Sequence, residues 1–195
     1  MLAIIIDAYE TTDFVVSSNA TIFLIVVAIL NFPSVYLLDS GKSQGYGMYV
    51  WFKIASFLTI LGQWGRYFSL KWFPDDFWVT MIPCTVMAIG QPFLINGISK
   101  LACIWFGDKE RTLAIGIVAF SLALGSILGL SLATFFIFEE DKYDKKLIRS
   151  ETESFMLFIS WGTTLLCLPM IVFYKQKPLQ FPSRSAEEDA KSGKQ

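Results

Sequence analysis

The chain has 195 residues, of which 54% are hydrophobic and only 17% charged, with a formal net charge of −1. Without a basic stripe to neutralise phosphates, nucleic acid is excluded as a partner. The lack of any histidine removes imidazole metal ligands and histidine proton relays together.

A helical crossing of the bilayer core takes about 20 apolar residues, and five runs approach or exceed that length. Ahead of them, residues Met1 to Asp7 form an apolar stub with no basic leader, too short to span and unlike a secretory signal. The first run is Asn19–Leu38. It opens on the glycosylation acceptor Asn19-Ala20-Thr21, which abuts the span rather than lying in an accessible loop, so it is expected to be unused. The second, Met48–Leu70, holds Lys53, Gln63 and Arg66. The third, Phe77–Ile98, carries no charge over 22 residues and holds Gln91, Pro92 and Asn96. A charged hairpin, Trp105 to Arg111, turns the chain back into Thr112–Phe138, which is free of charge over 27 residues. The fifth run is Ser154–Phe173.

Soluble helices of this length show a polar face, and Ile22–Leu30 and Leu122–Phe138 show almost none. The pattern predicts an all-α, polytopic membrane helix bundle over residues 1–174, with the lipid bilayer as its surroundings. The last segment, 175–195, is rich in lysine, serine and acids and contains Pro178 and Pro182. It cannot bury apolar surface, which predicts a disordered tail.

Five crossings place the two ends of the chain on opposite faces, and the lysine and arginine bias decides between them. One set of loops and ends carries nine such residues (Lys42, Lys100, Lys109, Arg111 and five beyond Phe173) and the other carries five. The tail is therefore expected on the cytoplasmic side. Cys84, Cys103 and Cys167 are isolated in sequence and fit neither a zinc site nor a disulfide framework, so neither metal nor cofactor is expected. No nucleophile–base pair or carboxylate pair lies within a span, which argues against an enzyme.

Polar groups inside spans must face protein or a water-filled cavity. Lys53 and Arg66 lie close enough to span ends to snorkel, while Gln63 shares a helix face with Arg66. Gln91 and Asn96 lie five residues apart, about 140° around the helix, and Pro92 between them frees a carbonyl. Two readings stand: Gln91, Asn96, Gln63 and Arg66 line a solute path, or the amides join helices by hydrogen bonds. In the fourth span Ser121, Gly125, Gly129 and Ala133 recur every four residues, a small-residue ladder that predicts close packing of another helix.

Ala88-Ile89-Gly90-Gln91-Pro92-Phe93, followed by Ser99-Lys100 and Trp105-Phe106-Gly107-Asp108-Lys109-Glu110-Arg111, resembles helix four and its following loop in the major facilitator superfamily. The closest resemblance is to the subgroup named after the feline leukaemia virus subgroup C receptor. Leu37-Leu38-Asp39 with Gly41-Lys42 resembles that family's loop between helices two and three, and Trp64-Gly65-Arg66 the end of its helix three. The resemblance covers roughly Asp7 to Phe138 and, more loosely, the fifth run, and implies helices two to six of a twelve-helix fold, with helix one and the second half lying outside this sequence. Some positions depart from the family. Ile98 and Asp108 replace its prolines. Leu122-Ala123 stands where it has an asparagine–glutamine pair, so its choline-like cation is not carried over.

The resemblance implies a secondary transporter moving a small solute by alternating access between two bundles. Asp39 and Lys42 would latch the cytoplasmic side, with Glu110 and Arg111 pairing near them. The alternative is a truncated or partner-dependent polytopic protein that does not transport alone. Its partner helices would come from the missing transporter half or from a homo-oligomer.

Overall fold

The computed structural model describes residues 11–39, 46–136 and 145–175, together with Ile6 and Tyr9. These residues form five long helices and no strand: α1 (Asp13–Asp39), α2 (Tyr46–Trp72), α3 (Met81–Trp105), α4 (Asp108–Phe136) and α5 (Lys145–Phe173). A short 3-10 helix, Phe77–Thr80, leads into α3 and is capped by the Asp76 carboxylate, which accepts from the Trp78 amide at 3.2 Å. Of the five, α1, α3, α4 and α5 are long and apolar enough to cross a bilayer. α2 is equally long, but Lys53, Arg66 and Lys71 make it less apolar. Residue 40, residues 41–45 with Lys42, and the tail beyond Lys175 lie outside the described residues.

The helices run up and down, because their ends gather in two apolar clusters. At one end Leu38, Met48, Phe52, Ala55 and Phe93 are buried, with Leu101, Ile104, Met170 and Tyr174 packed against them. Trp51 stacks on Phe93 at 4.6 Å between centroids. This is the Asp39 end. At the Asp75 end, Tyr9, Leu70 and Ile148 are buried, with Phe77, Phe136 and Met156 around them. Side chains from α2, the 3-10 helix, α4 and α5 thus meet the segment that precedes α1. The α2 stripe of Trp64, Phe68 and Trp72, with Trp161 of α5 edge-on to Trp64 at 5.5 Å, forms an aromatic wall towards the Asp75 end. Tryptophan concentrates at that depth where a helix leaves a bilayer.

The closest helix contact is between α2 and α3, and glycine makes it possible. A methyl group on Gly62 would lie 2.7 Å from the Pro83 carbonyl oxygen, and one on Gly90 would lie 2.9 Å from that of Ala55. A side chain on Gly97 would collide with the Phe52 ring. In contrast, Gly125 and Gly129 of the expected α4 ladder have nothing within 4 Å of such a methyl. Ser121 is exposed, and its hydroxyl returns to the Ile117 carbonyl at 2.8 Å. Of that ladder only Ala133 is buried. Ser121, Gly125 and Gly129 therefore meet no other helix among the described residues, where the close glycine contacts lie between α2 and α3.

The spans read from hydropathy fall short of the helix ends, most of all in α5 and α3. Helix α5 starts at Lys145 rather than Ser154, because the charged stretch still presents Ile148 and Thr152 to the interior. Arg149 there lies over the Tyr9 ring at 5.4 Å and pairs with Asp75 at 3.2 Å. Helix α3 passes Ile98 and ends at Trp105, and Gly107 accepts from the Glu110 and Arg111 amides to start α4. Asn19 lies within α1 and donates to the Thr80 hydroxyl at 2.9 Å, so the nitrogen a glycan would need is already engaged.

Replacing Gly62 or Gly90 with alanine should lower detergent stability by about 1–3 kcal/mol through overpacking. Gly125→Ala should leave the melting temperature unchanged or slightly raised, since helix propensity then acts alone. Equal losses in thermal unfolding at all three positions would contradict the placement of the seam.

Burial among apolar groups, with the Glu153 carboxylate adding to it, pushes the Tyr9 hydroxyl up to about 12, against the partial opposition of Arg149. A folded-state value above the ordinary one of about 10 gives stability that is full below pH 10 and lost as pH rises through 12. Among the described residues the Tyr9 hydroxyl meets no hydrogen-bond partner in good geometry, although the nearby Thr152 hydroxyl partly offsets the upward shift. Tyr9→Phe should therefore melt at or above the wild-type temperature at pH 7 and lose less stability between pH 9 and pH 12. A fall in the pH 7 melting temperature would show that the hydroxyl is bonded.

Candidate functional site

The expected path residues separate into two kinds. Asn96, on α3, gives its amide to α1. Its Nδ2 lies 2.8 Å from Asn31 Oδ1, 3.2 Å from the Asn31 carbonyl and 2.7 Å from Ser34 Oγ. The Ser34 hydroxyl, fully buried, donates in turn to the Asn31 carbonyl at 2.7 Å. Pro33 lies inside α1 between them. Three polar groups thus satisfy one another across the α1–α3 interface, as an apolar surrounding demands.

Gln63 serves a similar joint on the other side of α2. It is 4% exposed, with its side-chain amide nitrogen 4.0 Å from Met156 Sδ and its backbone carbonyl accepting from Ser160 Oγ at 3.4 Å. One residue on, Trp64 Nε1 donates to Thr164 Oγ1 at 2.9 Å. These bonds fasten α2 to α5.

Gln91 and Arg66 are different. Both are half-buried, and neither side chain makes a hydrogen bond or ion pair with any described residue. The flanking Gly90 and Pro92 are buried against α2 and the core. Five residues of helix separate Gln91 from Asn96, which puts the two amides on different faces of α3, about 140° apart.

At the Asp39 end, Asp39 forms an ion pair with Lys100 of α3, whose ammonium also donates to the Leu38 carbonyl at 2.8 Å. Lys42, the expected second member of this latch, lies outside the described residues. Glu110 is exposed and borders an apolar groove of about 360 Å³ between the ends of α3 and α4, formed by Ile98, Leu101, Leu113 and Ile117 among others. Arg111 is half-buried beside it. Among the described residues no three of the side chains that bind metals gather in one place.

Sequence reasoning missed Asn31, Ser34 and Lys100. The first two carried a signal: they flank the only proline of an otherwise apolar span, where each polar group needs a partner. Lys100 was counted as a loop cation because a charge was taken to end the span. Its spacing of four from Asn96 puts both on one face of α3.

Asn96→Ala should lower detergent stability by roughly 1–2 kcal/mol, the range for interhelical bonds between polar side chains in membranes. Gln91→Ala should leave stability within about 0.5 kcal/mol of wild type. Thermal unfolding of the two variants side by side checks this, and the reverse order would exchange their roles.

The sequence profile of the Major Facilitator Superfamily matches residues 1–192. The chain is 26% identical over 166 residues to the choline/ethanolamine transporter FLVCR1 of Felis catus, covering 85% of this chain and 28% of that protein. It is 26% identical over 178 residues to the choline/ethanolamine transporter FLVCR2 of Homo sapiens, covering 91% and 32%. An uncharacterised MFS-type transporter of Caenorhabditis elegans is 26% identical over 184 residues, covering 92% of this chain and 29% of its own. The chain thus spans about a third of the length of these relatives. A helical bundle with four apolar helices of crossing length and a family match over nearly the whole sequence have one reading: the chain is an integral, multi-pass membrane protein of the Major Facilitator Superfamily.

Proposed function

We propose that this chain contributes to moving a small solute across a membrane, as one helical bundle of a secondary transporter working by alternating access. The observation that carries the proposal is the superfamily match over residues 1–192, with relatives named as transporters along 85–91% of the chain. The up-and-down bundle agrees with it, since α2 would then be a fifth crossing and the two apolar clusters would lie at opposite faces. The Asp39 end is the cytoplasmic one on this reading, because it collects nine of the lysines and arginines against five.

Within the bundle, Gln91 and Arg66 are the side chains left for a solute. Asn96 and Gln63 stand behind them as joints that hold α3 and α2 in place. Lys53, Arg66 and Lys71 are the charges within α2, and no acid lies between Asp39 and Asp75 or between Asp76 and Asp108. That leaves choline and ethanolamine, the solutes of the named relatives, without a carboxylate to meet them from these segments. Asp39, Glu110 and Arg111 lie at the end read here as cytoplasmic, where they would meet a second bundle.

A second reading, a polytopic chain that needs partner helices before it works, is favoured by α4. None of its most apolar stretch is buried, and it touches its neighbours only near its ends. Ser121, Gly125 and Gly129 would then receive a helix of the second bundle or of another copy.

Two measurements test these readings. Cysteines introduced at Gln195 and at Tyr143 should react with an impermeant maleimide from opposite faces, with Gln195 inside; labelling of both from one face sinks the five-crossing topology. A panel of small amines, amino acids and organic anions should contain a compound that stabilises the chain by about 2.7 kcal/mol at a hundred times its Kd, read as a rise in melting temperature. Gln91→Ala should abolish that rise while expression stays normal. An identical rise in the variant would remove Gln91 from the path.

A further inference from the structure

Helix α5 ends at Phe173, beside the hairpin that joins α3 to α4. Tyr174, just beyond it, is half-buried, with its ring 6.3 Å from that of Trp105 and 5.6 Å from that of Phe52. Trp105 is the last residue of α3. The chain that follows α5 therefore leaves the bundle next to the apolar groove of about 360 Å³ between α3 and α4. Leu101 and Ala102 of α3, Phe106 of the turn and Leu113 of α4 form the mouth of that groove. Phe106 is 39% exposed and Leu113 67%. Among the described residues that line the groove, Glu110 alone is charged. Charged side chains such as Glu110 and Arg111 mark the level of the lipid headgroups. Acyl chains are therefore badly placed to cover the mouth, while the deeper part by Ile98 and Ile117 opens to them.

The sequence sends a complementary segment to this place, Lys175-Gln176-Lys177-Pro178-Leu179-Gln180-Phe181-Pro182. Leu179 and Phe181 are the only large apolar side chains beyond Tyr174. Pro178 and Pro182 push the residues before them, Lys177 and Phe181, towards extended backbone. In an extended chain positions 179 and 181 project to the same side. The two prolines also bring no amide hydrogen, which leaves fewer donors to satisfy at the edge of the hydrocarbon. Lys175 and Lys177 carry the charge that Glu110 lacks a partner for among the groove residues. Five extended residues reach about 17 Å from Tyr174 to Leu179, well beyond the 6.3 Å between the Tyr174 and Trp105 rings.

We propose that segment 178–182 of this chain docks in the mouth of the α3–α4 groove, with Leu179 and Phe181 against Phe106 and Leu113 and the two lysines facing Glu110. So short a tether gives the segment an effective concentration of roughly millimolar, so a weak contact suffices to keep it seated. The segment acts as a strap. It ties the start of α4, which has few other contacts, to the end of α5, and it does so whether or not the chain transports.

A photoreactive benzoylphenylalanine at position 181 of the whole chain, reconstituted in phosphatidylcholine nanodiscs, reads the contact directly. Its adducts, mapped by peptide mass spectrometry, should fall within residues 101–114, at about five times the yield of the same probe at position 192. Leu113→Asp should cut those adducts about fivefold. Because Leu113 is largely exposed, that variant should keep the wild-type melting temperature. Phe106→Ser reads the same face if the aspartate variant does not accumulate. Glu110→Lys should cut the adducts about threefold, and adding Lys175→Glu with Lys177→Glu should restore them. Adducts chiefly on lipid or on a second copy of the chain overturn the proposal and assign the mouth to the bilayer or to a dimer. Equal yields with and without Leu113→Asp overturn it too, since the groove then plays no part.

Discussion

Everything in this bundle follows from how closely α2 and α3 approach. Where Gly62 meets Pro83 and Gly90 meets Ala55, backbone lies against backbone, and Gly65 lies against the Pro83 ring. In lipid there is little hydrophobic drive to bring helices together, so close packing and interhelical hydrogen bonds must do it. With α2 and α3 fixed as a pair, each has one face left. Helix α3 turns Asn96 and Lys100 to α1, and α2 turns Gln63 and Trp64 to α5. Helix α4 is left at the margin, tied by Phe136 at one end and by the short Phe106-Gly107 turn at the other.

The polar side chains are distributed by the same constraint. An amide facing hydrocarbon costs several kcal/mol, so each in-span polar group has either found a partner or sits where something else can supply one. Asn31, Ser34 and Asn96 form a closed set, and Trp64 with Thr164 another. Gln91 and Arg66 lie outside these sets. In a family whose members form a path between two bundles, uncommitted and half-buried groups are where a solute has something to bind. That is why the joints and the path candidates, alike in sequence, separate once their partners are known.

Much of the fold was legible in the sequence. The charge-free lengths Phe77–Ile98 and Thr112–Phe138 required helices, and the Trp105–Arg111 hairpin required the chain to turn back. Hydropathy failed at the helix ends, since it stops at the first charge while the helix continues. Lys145 to Glu153 extends α5 because Ile148 and Thr152 still face inwards, and Lys100 extends α3 because its charge is taken up by Asp39. The glycine contacts between α2 and α3 were not legible for a related reason. A spacing of four shows that small residues share a face, as Ser121, Gly125 and Gly129 do, but not that a helix lies opposite. Gly90 and Gly97, seven apart, share a face just as well, and they are the pair that meets a neighbour. Of the site, the residue types were visible and their division was not, because that depended on Pro33 and its polar neighbours in α1.

The marginal place of α4 against a tightly joined remainder is tested most directly by oxygen accessibility of single spin labels in the reconstituted chain. Labels at residues 117, 121, 125 and 129 should be uniformly accessible with no helical period, while labels at 55, 88 and 93 should be strongly protected. Protection centred on Gly125 and Gly129, or free access at Ala88, would contradict this arrangement and move the packing core from α2 and α3 to α4.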